Sequence, residues 1–378
     1  MSVGTTVAAV EFVGLRSPLD PPATFSWGSA DARNVGLVKV TTSDGVTGWG
    51  ETSVTFPLWS LEERHATVTQ GVAPMAVGLA CGSLEEIAGT IAQLERNMAR
   101  LRLLWSHVAI SSAISALEMA LLDALGRAQG QPVWALLGGT AAEVPLYAVG
   151  FAGDADAIAE QAGTALDEGY AAVKVRLGFG EDRDLGLLRT MRAALGEDPV
   201  LYADVNMGWD RETADHMAPR LAEFSLGWLE EPLSRDEVAG FPHLGEAAGA
   251  PIAAGENCYS RDEVAALARS GFVDVVMPDL ARCGGLLAAV EGARAALDGG
   301  RAYSTHHYAS DLGFAAMLTV AAVLGPSAPV LRDVSAWPLR SELLTEPITI
   351  TAGRALTSSV PGLAPEPDPI VIERNRVL

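Results

Sequence analysis

Six charged residues, Lys174, Asp204, Glu230, Glu256, Asp279 and His306, each close a short apolar run, and the steps between them are 30, 26, 26, 23 and 27 residues. One strand, one return helix and two short loops fill such a step, so each is a β/α unit. Strand candidates are Val144 to Val149, Ala172 to Leu177, Val200 to Val205, Trp228 to Glu231, Pro251 to Glu256, Val273 to Pro278, Arg301 to His306 and Val330 to Val334. Between them, Ala155 to Glu168, Glu181 to Leu195, Glu212 to Phe224, Arg261 to Ser270 and Leu286 to Leu297 carry helical spacing. Eight strands alternating with helices close into a parallel (β/α)8 barrel. The competing arrangement, an open doubly wound sheet, calls for a phosphate-binding turn, and Gly178-Phe179-Gly180 lacks the third glycine.

The chain has 378 residues, more than one ordinary core, so a second region accompanies the barrel. Residues 1–140 read as an α+β unit. Strands Val35 to Thr42 and Val46 to Glu51 flank the turn Ser43-Asp44-Gly45, and helical periods follow over Thr67 to Met75, Glu85 to Leu101 and Ala109 to Gln129. The stretch Ile110 to Leu125 carries Glu118 and Asp123 and reads as an amphipathic helix rather than a membrane span. Residues 141–340 hold the barrel. Residues 341–378, with Pro347 to Thr351 and a proline-rich end, are too few for a domain and are expected to pack back on the N-terminal unit.

A net charge of −21 repels phosphate backbones and anionic lipid, so neither nucleic acid nor membrane is an expected partner. A small anionic substrate would need a local cation to enter this field. Cys81, Cys258 and Cys283 are widely spaced and odd in number, which fits a reducing cytosol better than a disulfide framework. The start, MSVGTTVAAVEFVGL, has no basic leader, and a cytoplasmic location is expected. Of 26 basic residues only Lys39 and Lys174 are lysines. Lys39, on a hairpin strand, reads as part of a solvated face.

The strand ends of a parallel barrel open onto one face, where function collects. Asp204, Glu230 and Glu256 end consecutive strands and would repel one another without a cation. Oxygen-only ligands point to Mg²⁺, with Mn²⁺ also suitable. Asp279 and His306 sit on neighbouring strands, where a carboxylate can hold one imidazole nitrogen and make the other a general base. His307 would face the other way and receives no role. Lys174 and Arg176, two apart, point together into the mouth, opposite the His–Asp pair. The set suits removal of a proton next to a carboxylate, with metal and cations stabilising the enediolate as its charge forms.

The carriers AVKVR at 172–176, ADVN at 203–206, WLEEP at 228–232, GEN at 255–257, MPDLARCGG at 277–285 and STHH at 304–307 resemble the enolase superfamily, specifically its mandelate racemase subgroup. The stretch Ser115 to Gly139 is similar to that family's helix leading from a capping domain into the barrel. The resemblance spans nearly the whole chain. It implies an α+β capping domain, completed by the C-terminal tail, over the barrel mouth. It implies metal ligands at Asp204, Glu230 and Glu256, a dyad at His306 and Asp279, and basic residues at Lys174 and Arg176. Lys174 would mainly contact the substrate carboxylate, and Asn206 is a further substrate contact. Capping loops would bring Phe25, Trp27, Phe56 and Trp59 near the substrate, and assembly as dimers or octamers is implied.

Two departures shape the functional expectation. The family's second lysine is here Arg176, and a guanidinium is not deprotonated in proteins. With Arg176 acting only through its charge, His306 is left as the principal base, which favours dehydration of a hydroxylated acid, such as a sugar acid, to a 2-keto acid. Lys174 stays open as a second proton-transfer group. Racemisation, epimerisation and lactone cycloisomerisation through the same enediolate are the alternatives, and a non-catalytic sugar-acid binding protein is the reading from another class. The family's glutamate near strand eight has no clear counterpart, Asp333 being nearest.

Overall fold

Alternation of apolar and polar residues in the first fifty positions produces three antiparallel strands. In the computed structural model, which describes residues 4–25, 28–104, 106–308 and 310–378 (of Pro21 and Phe25, the backbone alone), β1 (Val7–Phe25) pairs with β2 (Gly28–Thr42), and β2 with β3 (Thr47–Thr52). The turn between the last two closes with Gly45 N–H donating to Thr42 O at 2.9 Å. One sheet face lies directly on the helix His107–Gln129. A Cβ on Gly50 would come within 2.0 Å of Ala116 O, and one on Gly48 within 2.2 Å of Ala120 O, so only glycine admits this approach.

The expectation of an amphipathic helix is corrected here: Ala109 to Gly126 are buried without exception. The sheet, the helix Leu84–Leu104 and a barrel helix cover it on every side. Its two acids survive burial because their lone pairs are filled. Glu118 accepts Leu286 N–H and Leu287 N–H, both at 2.8 Å, at the start of the barrel helix Leu286–Asp298. Asp123 accepts Trp49 N–H at 2.9 Å, Leu363 N–H at 2.7 Å and Arg127 Nε at 2.8 Å, tying sheet, tail and helix together.

The eight barrel strands are β4 (Glu143–Val149), β5 (Ala172–Arg176), β6 (Val200–Asp204), β7 (Trp228–Glu230), β8 (Ile252–Ala254), β9 (Val275–Val276), β10 (Ala302–Tyr303) and β11 (Val330–Asp333). A parallel ladder runs in order from β4 to β10, and β11 returns to β4. Between β10 and β11, Ser304 Oγ donates to Pro329 O at 2.7 Å. Side-chain caps start the return helices: Asp154 accepts Ala157 N–H, Asp210 Thr213 N–H and Ser260 Glu263 N–H. Tyr147, Tyr202 and Trp228 fill the interior, with Tyr202 stacked on Trp228 and Tyr147 edge-on to both. With the floor packed by aromatics, the charged strand ends are confined to the mouth.

The tail divides its contacts. A hairpin of β12 (Ile350–Thr351) and β13 (Arg354–Leu356) pairs antiparallel with β4, so this part joins the barrel rather than the N-terminal unit. The free edge of β4 at Glu143 to Pro145 explains the difference, since it offers unpaired backbone groups. The helix Pro369–Asn375 and the last residues do reach the N-terminal unit: Gly14 N–H donates to Leu378 O at 3.0 Å and Val377 N–H to Gly14 O at 2.8 Å.

Glu118→Ala leaves two buried N–H groups without acceptors. It should destabilise the protein by about 2–6 kcal/mol, at about 1–3 kcal/mol per orphaned group, read as a lowered urea midpoint. An unchanged midpoint would show that Glu118 does not hold the two domains together.

Candidate active site

Ladder register sets the site. Asp204 pairs directly with Glu230, and Arg176 with Asp204, so acids and bases of neighbouring strands end at one level. The chain then turns sharply: Asn206, Met207 and Glu231 adopt φ of 50°, 57° and 39°, left-handed conformations that non-glycine residues seldom take. Such strain collects where a site fixes its geometry. A cavity of about 120 Å³ opens there, lined by Lys174, Arg176, Asp204, Asn206, Glu256, Asp279, Arg282, His306 and His307, with Ser53, Thr55 and Phe56 from the N-terminal unit.

The three carboxylates proposed as metal ligands are 5%, 1% and 6% exposed at Asp204, Glu230 and Glu256. Lys174 Nζ lies 2.7 Å from Glu230 Oε1 and 3.1 Å from Asp204 Oδ2. Trp228 Nε1 donates to Glu230 Oε2 at 3.1 Å, and Asn206 Nδ2 to Glu256 Oε1 at 3.3 Å. Burial, and then the Asp204 charge, push Glu230 up to about 7. Burial would likewise raise Glu256, yet His306, then Arg282 and Lys174, hold it well below the usual carboxylate range. Among the described residues no three acid or imidazole groups converge on one point as they stand. Lys174 and His306 meet the negative charge instead. The donor set nonetheless fits a hard divalent cation, being three buried carboxylates from adjacent strands, of which Glu230 is raised by burial and then by the Asp204 charge.

Asp279 and His306 form an isolated parallel bridge, with His306 Nδ1 2.7 Å from Asp279 Oδ2. His306 Nε2 is 2.9 Å from Glu256 Oε2. Burial alone would lower the His306 imidazolium, but Glu256 and Asp279 outweigh it and carry His306 up to about 10. Lys174 behaves in the same sense: burial opposes its charge, and Asp204 and Glu230 hold it well above the usual ammonium range. Arg176 lies 5.3 Å from the centroid of the Tyr308 ring.

Sequence reasoning missed several neighbours. Arg282, within the MPDLARCGG segment, reaches Glu256 Oε1 at 3.4 Å and Asp279 Oδ2 at 3.5 Å, and its position three residues after Asp279 was the available signal. His307, given no role, is buried, lines the cavity and lies 3.8 Å from Asp279 Oδ1 and 3.3 Å from Glu51 Oε2. Asp333 is occupied: Arg33 Nη1 from β2 meets it at 2.7 Å and Arg340 Nη2 at 2.5 Å. Arg33 also donates to Tyr308 Oη at 2.7 Å. Of the capping aromatics, Phe56 lines the cavity, whereas Trp59 is 66% exposed and absent from its lining, because it precedes a surface helix (Ser60–Ala66) and faces solvent. Trp27 and the Phe25 side chain lie outside the described residues. Lys39 is partly exposed, 3.9 Å from Glu11.

Residues 8–138 match the N-terminal domain of mandelate racemase / muconate lactonizing enzyme, and residues 157–371 match the enolase C-terminal domain-like family. D-galactarolactone cycloisomerase of Agrobacterium fabrum (strain C58 / ATCC 33970) is 28% identical over 95% of this chain and 96% of its own length. Arabinonate dehydratase of Saccharolobus solfataricus (strain ATCC 35092 / DSM 1617 / JCM 11322 / P2) is 27% identical over 86% of each chain. Other relatives are racemases and an epimerase. An enolase from Bradyrhizobium, crystallised with magnesium and mandelic acid, superposes with a TM-score of 0.85 at 29% identity, covering 100% of both chains.

Arg33→Ala leaves Asp333 with Arg340 and the Ser335 N–H, and removes an ion pair joining the two domains. Breaking such a buried pair should cost about 3–5 kcal/mol, seen as a fall in Tm. A Tm within a degree of wild type would show that the contact carries no docking energy.

Proposed function

The chain belongs to the mandelate racemase / muconate lactonizing enzyme family of the enolase superfamily, and from that premise we propose that it removes the α-proton of a hydroxylated carboxylic acid, with dehydration to a 2-keto acid as the outcome. The carrying observation is the His306–Asp279 pair at 2.7 Å, in one cavity with a lysine that its surroundings hold protonated. One face of the cavity therefore offers a base and the other offers fixed positive charge.

Asp204, Glu230 and Glu256 would hold Mg²⁺, in keeping with the magnesium in the Bradyrhizobium structure. The bound ion would neutralise the three acids and supply positive charge toward an enediolate. Asp279 holds His306 through Nδ1. Nε2, which meets Glu256 Oε2 at 2.9 Å here, would act as the base when Glu256 is turned to the ion instead, taking the α-proton and returning a proton to a departing hydroxide. Lys174 and Arg176 orient the substrate carboxylate, and Arg282 balances Glu256 and Asp279. Each gain of about 1.4 kcal/mol in charge stabilisation at the transition state is a tenfold gain in rate. Phe56, Val149 and Leu331 keep water from the apolar wall.

Cycloisomerisation is the second reading. A relative with that activity spans nearly the full chain, and the reaction also needs only one base. Racemisation needs a second base, and Arg176, a guanidinium where the family carries a lysine, does not supply one.

Incubation of sugar acids and their lactones in D₂O with Mg²⁺ should yield a 2-keto acid from one of them, and ring opening or closure without loss of water would favour the second reading. His306→Asn should lower kcat by about 10³-fold or more, since a general base contributes about 10²–10⁴. Turnover retained in that variant would remove His306 from the mechanism.

A further inference from the structure

Asp279 presents two carboxylate oxygens, and His306 uses one of them. The other, Oδ1, accepts Ala281 N–H at 2.8 Å and faces His307 Nδ1 at 3.8 Å. The opposite nitrogen of His307 stands 3.3 Å from Glu51 Oε2. Glu51 comes from β3 of the capping domain and is fully buried, yet its other contacts all lie in the barrel. It accepts Ser310 N–H at 3.0 Å, Ser310 Oγ–H at 2.6 Å and Gly313 N–H at 3.0 Å, at the start of the helix Asp311–Leu324. A Cβ on Gly313 would come within 2.1 Å of the His307 ring, so a glycine reserves the space the ring occupies.

A protonated imidazole between two carboxylates is drawn to both, here as ion-pair contacts of 3.3 Å and 3.8 Å rather than as hydrogen bonds. Burial opposes that charge, but Glu51 and Asp279 carry His307 up to about 9. The result is a row of alternating charge, Glu51, His307, Asp279 and His306, running from capping domain to base, in which the Asp279–His306 link is a hydrogen bond and the two His307 contacts are electrostatic. We propose that His307 and Glu51 are positioning residues: seating of the capping domain fixes His307, which fixes the plane of Asp279 and thereby the ring of His306. This rests on His306 being the base, and it makes proton abstraction conditional on a closed cap.

The chain has six histidines, so the full-length protein labelled with ¹⁵N-histidine gives a spectrum simple enough to assign with His306→Asn and His307→Asn. Glu51→Gln should shift the ring ¹⁵N resonances of His306 as well as those of His307. Ser310→Ala, which removes one donor to Glu51, should shift both in the same direction by less, and serves if Glu51→Gln does not fold. His306 resonances at wild-type positions in a folded variant would overturn the proposal. In turnover, His307→Leu should lower kcat about 10- to 100-fold, the range for losing an orienting partner, with KM within about threefold. Equal losses through KM would instead mark a substrate contact and also overturn it. The resonances are read without substrate, so failure here is distinct from failure of the proton-abstraction reading, which appears as no exchange in D₂O.

Discussion

Buried negative charge at the barrel mouth is the constraint from which the site follows. Asp204 and Glu230 end β6 and β7, and Glu256 and Asp279 follow β8 and β9 by two and three residues, all buried above an aromatic floor. Carboxylates in such a place persist only with cations or donors around them. Lys174 and Arg282 supply the compensation, held protonated by the acids they serve, and His306 joins them while Glu256 is engaged by its ring rather than by an ion. The same balance that keeps the fold intact pre-assembles positive charge where an electron-rich intermediate would form.

The barrel alone does not complete this arrangement. Arg33 and Glu51 cross from the capping domain to Asp333 and to the loop after β10, while Glu118 in the domain's central helix caps a barrel helix. Each crossing is a charged group satisfied on the far side of the interface, so separating the domains would strand charges in both. The C-terminal tail adds backbone pairing on the same plan, one hairpin on β4 and the last residues on β1. Docking therefore satisfies buried charge in both domains at once.

The barrel and its acids were legible in the sequence because a parallel β/α repeat has a fixed length and strand ends have a fixed function. Asp204 and Glu230 end their strands and Lys174 lies two residues before the end of β5, whereas Glu256, Asp279 and His306 fall two or three residues past β8, β9 and β10, which are shorter than expected. His307 was misread for a definable reason. Strand alternation would turn it away, but β10 ends at Tyr303, so residues 304–308 do not alternate and both histidines face Asp279. Arg33 and Glu51 were invisible because their partners lie 300 and 259 residues away in the chain, where no local pattern reaches. The helix Ala109 to Gly126 looked amphipathic because its two acids broke an apolar run, whereas each acid serves a neighbouring backbone.

Calorimetric titration of Mg²⁺ into the metal-free protein tests the central claim most directly. The account predicts saturable binding of one ion per chain, with heat abolished in Asp204→Asn and in Glu230→Gln. Binding that survives both substitutions, or no binding even with a hydroxy acid present, would contradict it.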